Sequence, residues 1–373
     1  MGTRKKISQL SIKGFKSIQR LEDFEMSDIN VLIGANGAGK SNFVSFFEML
    51  TEMVEGRLQT WTRKQGSADR IVSFGVKETD KLSASIRFGE NGYDFILEPT
   101  VDGGFVFSQE SIYFSRPQDD GGKDWSVGHP GQQESGLKEA YSPSTIDVSY
   151  YCYQTLANWK VFHFHDTSDT AGVKRLGSVH DNNYLRSDAS NLAAYLYMLR
   201  REWHDKYEQI RKTVRLAIPF FDDFVLKPQR LSTEEEQIRL LWTQNDSDYP
   251  FWPSQLSDGS LRFICLATAL LQPDPPSTII IDEPELGLHP YAINLLGSLI
   301  RSASKRMQVI VSTQSVPLVN EFSVQDLVIV ERKEGVTVFQ RPKRDDFEMW
   351  LKEYSVGELW EKNVLGGRPG ESR

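Results

Sequence analysis

Two cysteines in 373 residues, Cys152 and Cys265, have neither the number nor the spacing for a disulfide framework or a zinc site. No apolar run approaches the roughly 20 residues that a membrane-crossing helix needs. No heptad pattern persists beyond about three or four turns, which excludes a long coiled coil, and no internal repeat occurs. Positive charge is not in excess either. The net charge of −8 argues against wholesale coating of nucleic acid and leaves only a local basic groove open. The start, Met1-Gly-Thr-Arg-Lys-Lys, is basic, but Gln9, Lys13 and Lys16 interrupt any apolar signal core. Lys6 stands where myristoylation after Gly2 prefers Ser or Thr. The expectation is a cytoplasmic chain with no membrane partner.

What is present is ordinary globular material, with 39% hydrophobic and 25% charged residues and enough length for one large domain or two ordinary ones. Alternation over Ile7, Gln9, Leu10, Ile12, Phe15 and Ile18 predicts a strand, a turn at Gly14 and a return. The apolar run Ile29–Ile33 stops at Gly34, the pattern of a buried strand feeding a loop and then a helix from Lys40 to about Met53. Alternation resumes over 70–115 with turns at Asn91-Gly92 and Asp102-Gly-Gly104, an antiparallel β-meander. Residues 117–145 are polar and rich in Gly, Pro, Gln and Ser, and read as a flexible surface loop. A helix over 191–203 with Ser190 as N-cap follows, then helical spacing over 207–218, and strands over 224–228 and 237–242 around a polar turn. The segments 260–271, 279–282, 290–302, 308–312 and 327–330 alternate helix and strand, the order of an α/β sheet of the P-loop kind. The division expected is 1–115 for an N-terminal lobe, 116–250 for a loop and α/β insert, 251–345 for a C-terminal lobe and 346–373 for a tail. Residues 361–373 read as flexible, with a docking peptide as the alternative.

The strongest signal is Gly34-Ala-Asn-Gly-Ala-Gly-Lys40-Ser41, a complete G-x-x-x-x-G-K-S phosphate loop. Its glycines let successive N–H groups converge on phosphate oxygens at a helix start. Asn36, Gly37, Ala38, Gly39, Lys40, Ser41 and Asn42 are therefore the expected contacts of ATP, with Lys40 reaching the β- and γ-phosphates and Ser41 ligating Mg²⁺. About 240 residues downstream, Thr278-Ile-Ile-Ile-Asp282-Glu283 is a β-branched run ending in paired acids, costly in a buried strand unless they meet a cation and a water. Asp282 suits the Mg²⁺ shell, and Glu283 suits the orienting or deprotonation of an attacking water. Glu285 reads equally well as a surface residue. Leu256-Ser257-Asp-Gly259-Ser precedes an apolar helix, so Ser257 is an N-cap candidate. The functional alternative sets the Ser257 hydroxyl and the Gly259 backbone on a γ-phosphate.

This set of motifs resembles the ABC-type ATPases of the SMC and RecF-type group, whose signature takes this Leu-Ser-x-Gly form. Gly14-Phe15-Lys16-Ser17-Ile18 is similar to that group's opening strand, and Gly287-Leu288-His289-Pro290 to its dimer-contact loop. The resemblance implies an ABC-ATPase head, here an α/β P-loop fold with an antiparallel β-meander, a helical insert and no coiled coil. It also implies that Ser257 and Gly259 of one subunit complete the phosphate-loop site of another, so that ATP joins a homodimer. Where the group carries a switch histidine, this chain has Gln314. Glutamine can bond a γ-phosphate but takes up no charge near neutral pH, which implies slow or partner-stimulated hydrolysis with Glu283 and Gln314 as the catalytic candidates.

The whole chain is similar to bacterial RecF-like ATPases related to the OLD and AbiL-type phage-defence proteins. The segments that carry this are Val161-Phe-His163-Phe-His165-Asp-Thr-Ser168, Asn182-Asn-Tyr-Leu-Arg186, Ser190-Asn-Leu192 and Tyr354 to Gly367. This resemblance implies an ATPase subunit of an anti-phage assembly. Its partners would be a separately encoded nuclease-like effector, with DNA and an oligomer larger than the dimer left open. A RecF-type repair ATPase without a nuclease partner and a nucleotide-glued binding module with negligible turnover are the competing readings. His163 and His165, at i and i+2, form a weak metal pair beside the commoner reading of ordinary packing. The basic clusters Arg63-Lys64, Arg200-Arg201, Arg211-Lys212 and Arg341-Pro-Lys343-Arg344 are solvated faces unless several line one groove.

Overall fold

The computed structural model of the chain describes residues 5–116, 122–230 and 235–367. Strands β1 (Gln9–Phe15) and β2 (Ile18–Glu25) form a hairpin. It turns at Lys16 and Ser17 rather than at Gly14, with Lys16 at φ 46° and its N–H bonded to Ile71 O. β3 (Ile29–Ile33) is buried at every residue and leads into α1 (Lys40–Val54), which buries Phe43, Phe46, Phe47, Leu50 and Val54 at helical spacing. After α2 (Leu58–Gln65) and α3 (Ala68–Ile71), the meander continues through β4 (Leu82–Phe88), β5 (Asn91–Pro99), β6 (Phe105–Phe114) and β7 (Lys123–Ser126). These strands close an antiparallel sheet in the order β2-β1-β4-β5-β6-β7.

The middle of the chain holds α4 (Leu137–Ala140), α5 (Val148–Ala157), β8 (Lys160–Phe162), β9 (Gly177–Ser178), α6 (Leu192–Glu202) and α7 (His204–Ala217). It continues with β10 (Phe221–Val225), β11 (Gln229–Arg230), β12 (Glu236–Ile238) and β13 (Leu241–Gln244). The last part comprises α8 (Asp258–Leu271), β14 (Thr278–Asp282), α9 (Pro290–Ser304), β15 (Gln308–Thr313), α10 (Val316–Val319), β16 (Leu327–Lys333), β17 (Val336–Gln340) and α11 (Val356–Glu361). A second sheet has the order β17-β16-β3-β15-β14-β8, parallel except for β17. Alternation along its strands divides the core. Val31, Ile33, Ile279, Ile281, Val309 and Val311 join a cluster with α6 to α9, whereas Leu32, Ile280 and Ile310 join one with α1 and the meander. The sheet is thus covered on both faces, as its continuous apolar runs require. Among the described residues, no helix is long and apolar enough to cross a membrane.

Further local expectations are corrected. The stretch 122–145 is folded, not a loose loop, because buried Glu110 accepts from Tyr93 Oη (2.5 Å), Ser135 Oγ (2.5 Å), Gln132 Nε2 (2.7 Å) and Gly136 N (2.9 Å). Residues 117–121 of the expected loop lie outside the described residues. Helix α6 begins after Asn191, not Ser190, and the Asn191 amide is used elsewhere, donating to Asp181 O and Tyr184 O. The strand expected over 237–242 splits: β12 joins β9 and β11 in a small sheet, while β13 pairs with β10. The turn residues 231–234 lie outside the described residues. Of the expected tail, Leu359, Trp360 and Leu365 are buried and Gly367 N donates to Glu331 Oε1 at 2.9 Å, while residues 368–373 lie outside the described residues. β8, within the stretch read as an insert, is the edge strand of the main parallel sheet.

Candidate nucleotide-binding site

β3, β15 and β14 are neighbours in parallel register, with Ile33 opposite Thr313 and Ser312 opposite Asp282. Their C-terminal ends therefore deliver the loop after Gly34, the Thr313-Gln314 turn and the Asp282-Glu283 pair to one edge of the sheet, where ligands of open α/β sheets bind.

The loop turns into α1 through Gly39 at φ 115°, and no side chain caps this helix start. Its first-turn N–H groups remain available to an anion. A Cβ at Gly39 would overlap the Thr337 hydroxyl. That hydroxyl donates to Ala38 O at 2.8 Å and stands 2.6 Å from Ser17 Oγ, which accepts from Asn42 Nδ2 at 2.6 Å. Lys40 Nζ donates to Gly34 O (2.7 Å) and Ala35 O (3.1 Å). Burial pushes the Lys40 ammonium below its usual value, opposed by the charges of Glu283, Asp282 and Glu285. The lysine and the acids, 242 to 245 positions apart in sequence, thus share one electrostatic site.

On the acidic side, Glu283 sits at φ 42°, a conformation that favours glycine and stores strain in other residues, and its N–H donates to Ser312 O at 2.8 Å. Gln314 Nε2 donates to Glu283 Oε1 at 2.6 Å, so the glutamine expected on a phosphate is bonded to the neighbouring carboxylate. Glu285 is not a surface residue: it is 9% exposed, and its Oε1 accepts from Thr313 Oγ1 (2.5 Å) and Gln314 N (3.1 Å). Burial raises its carboxyl above the usual value, partly offset by the Thr313 hydroxyl. Asp282 Oδ1, Glu285 Oε2 and Ser312 Oγ are buried without a hydrogen-bond partner. An orphaned carboxylate oxygen of this kind fits a cation ligand, so Asp282, with Ser41 on the exposed first turn of α1, suits Mg²⁺ accompanying a nucleotide.

His163, just past β8, stands with Nε2 2.5 Å from Glu48 Oε1 of α1. Glu48 raises its pKa against burial, with Asp282 adding to the rise. The rings of His163 and His165 lie 6.3 Å apart, and among the described residues no group of three or more His, Cys, Asp or Glu is arranged to hold a metal.

Ser257 caps α8, its Oγ accepting from Ser260 N at 3.1 Å and lying 2.9 Å from Ser260 Oγ, and its side chain is exposed. Gly259 is buried, and a Cβ there would overlap the Gly287 carbonyl, so the turn is seated on the 287–290 loop. Arg262 fastens this unit. Nε donates to Phe164 O at 2.8 Å, Nη2 to His165 O at 3.3 Å and Nη1 to Leu286 O. The Ser257 turn is therefore held beside the acidic strand end, with the Ser257 side chain exposed.

Beside the loop, Arg70, Phe74 and Arg332 carry no sequence signal, whereas Lys16, Ser17 and Asn42 are named from it. A groove of about 330 Å³ is lined by Lys16, Ser17, Asn42, Arg70, Phe74 and Arg332, with Phe74 53% exposed at φ 59°. An aromatic face among cations suits a base and ribose whose phosphates lie on the loop. Of the basic clusters, Arg200 and Arg211 both face Asp223, while Arg341 is half-buried and donates to Asn30 Oδ1 at 2.6 Å.

The profile of the family described as "AAA domain, putative AbiEii toxin, Type IV TA system" matches residues 29–320. No curated protein matches the chain. Among solved structures, the chain is similar to an SMC head bound to the C-winged helix domain of ScpA, at 15% identity and TM-score 0.55 over 91% of this chain and 99% of that one. It is likewise similar to an SMC head with an extended coiled coil bound to the C-terminal domain of ScpA, derived from Pyrococcus furiosus. There the identity is 16% and the TM-score 0.52, over 93% of this chain and 99% of that one. These likenesses show the fold: an SMC-type head, here without the coiled coil among the described residues.

Proposed function

The chain belongs to that AAA-domain family and is an ATPase of the AAA/SMC type, and from this premise we propose that it binds and hydrolyses ATP while closing a homodimer around the nucleotide. The observation that carries the reading is the meeting of the 34–41 loop, Asp282-Glu283 and Gln314 at three adjacent parallel strand ends. Asn36 to Asn42 hold the phosphates, with Lys40 neutralising them and Ser41 and Asp282 holding Mg²⁺. The cation supplies charge neutralisation at the phosphates when bound. Glu283 orients and deprotonates the attacking water, and Gln314 sets the position of that carboxylate.

Support for a dimer lies in the start of α8, where Ser257 is exposed and would exchange its hydrogen bonds to Ser260 for the phosphates of a second copy. Substituting Glu283→Gln tests both parts. The variant should lose ATP turnover by about 100-fold or more and accumulate an ATP-bound dimer in light scattering. A variant that stays monomeric at saturating ATP would refute the sandwich. A second reading, slow turnover with ATP acting as glue, is favoured by the Gln314–Glu283 hydrogen bond, since the amide cannot relay a proton.

The downstream process is a defence assembly with a separately encoded effector, supported by the toxin–antitoxin description of the family and the resemblance to phage-defence ATPases. Measuring ATP turnover with and without duplex DNA tests whether DNA is the trigger.

A further inference from the structure

We propose that Glu285 is a positioning residue for this reaction, holding the turn that sets Gln314 against Glu283. The proposal rests on the ATPase reading above. Its basis is one carboxylate oxygen that serves two consecutive residues. Glu285 Oε1 accepts from Thr313 Oγ1 at 2.5 Å and from the Gln314 backbone N–H at 3.1 Å. The Thr313 hydroxyl in turn accepts from Ser315 N at 3.0 Å. Three residues of the turn are therefore tied, directly or through one hydroxyl, to a side chain that is nine-tenths buried. Beyond Thr313 the chain has left β15, so no ladder bond of that strand fixes the Gln314 backbone. The Gln314 amide nevertheless meets Glu283 Oε1 at 2.6 Å, and Glu283 itself lies at φ 42°, where few alternatives exist. With Glu285 truncated, Gln314 N would lose its acceptor and its side chain would no longer be aimed.

A glutamine at 285 keeps a carbonyl oxygen that accepts both donors, which separates positioning by hydrogen bonds from a need for charge. In full-length protein, Glu285→Ala should lower kcat for ATP by about 10- to 100-fold, with KM changed by less than about threefold. Glu285→Gln should stay within about threefold of wild type. On a Gln314→Ala background, Glu285→Ala should change kcat by less than about twofold, because both act through one contact. Hydrogen exchange at the Gln314 amide should accelerate in Glu285→Ala and not in Glu285→Gln, a readout independent of turnover. Multiplying effects in the double variant, or unchanged Gln314 exchange in folded Glu285→Ala, would overturn the proposal. A wild-type protein that hydrolyses no ATP would instead defeat the function on which it rests, while the exchange measurement would still judge the contact.

Discussion

Replacing Thr337 by Val changes one hydroxyl and almost no volume, and it tests whether β17 holds the phosphate loop in its binding geometry. Thr337 is fully buried; its Oγ1 donates to Ala38 O at 2.8 Å and stands 2.6 Å from Ser17 Oγ. Valine leaves the Ala38 carbonyl, inside the loop, without this donor. It also removes the neighbour that fixes the Ser17 hydroxyl, on which Asn42 Nδ2 depends. An acceptor stranded in this way costs about 1–3 kcal/mol. If that cost falls on the loop geometry needed for nucleotide, ATP affinity should drop by about 5- to 150-fold, since about 1.4 kcal/mol is tenfold. Titration with a fluorescent ATP analogue, at a temperature where both proteins are folded, reads the effect. Thr337→Ser keeps the hydroxyl and should stay near wild type. A folded Val variant within about twofold of wild-type affinity would refute the idea that this hydroxyl supports the loop.

Lys40→Ala should abolish ATP binding, because it removes the buried ammonium facing Glu283 and Asp282; retained micromolar affinity would sink the site. Ser257→Arg should spare ATP binding and stop hydrolysis, and mixing it with Lys40→Ala subunits should restore at most one intact composite site per dimer. Restoration to full wild-type turnover would count against a shared site. His163→Gln carries a pH signature. Glu48 raises the folded pKa of His163 above its unfolded value of about 6.5. The stabilisation is then fully present below about pH 6.5 and is lost as pH rises through the raised folded value. The melting-temperature gap between wild type and variant should be widest near about pH 5.5 and close at alkaline pH; a gap independent of pH would show that the pair is not ionic.

How much of this was legible in the sequence depends on the range of each interaction. The phosphate loop and the Asp282-Glu283 strand end were readable because contiguous residues encode strand, turn and helix. The core sheet followed from runs such as Ile29–Ile33, whose alternate residues lie on opposite faces. Contacts between distant positions were not readable. Nothing local announces that Thr337 supports Ala38, 299 residues away. Glu110, 4% exposed, organises through four hydrogen bonds the segment that composition labelled a loop. Glu285, read equally well as a surface residue, is buried in the site, whereas the N-cap reading of Ser257 is seen in the fold. Polar groups are where pattern reading is weakest, because their energy depends on partners rather than on periodicity.

The placement of Arg262 bears on how an exposed Ser257 turn could influence chemistry at Glu283. A guanidinium is a planar fork with five donors in fixed directions, so three acceptors bound to it cannot move independently without breaking bonds. Here the acceptors are Phe164 O and His165 O at the exit of β8, and Leu286 O, three residues beyond Glu283. Gly259, one turn earlier on the same helix, is seated against Gly287 with no space for a side chain. A second copy that engages Ser257 therefore pushes on a helix start already locked to the segment following Glu283. From the other side, Glu285 ties that segment to Thr313 and Gln314. The acidic strand end is thus held between the helix that would meet the partner and the turn that positions its carboxylate. If two copies dock through Ser257 as proposed, docking would also align Glu283, and a loose dimer would then bind ATP without hydrolysing it.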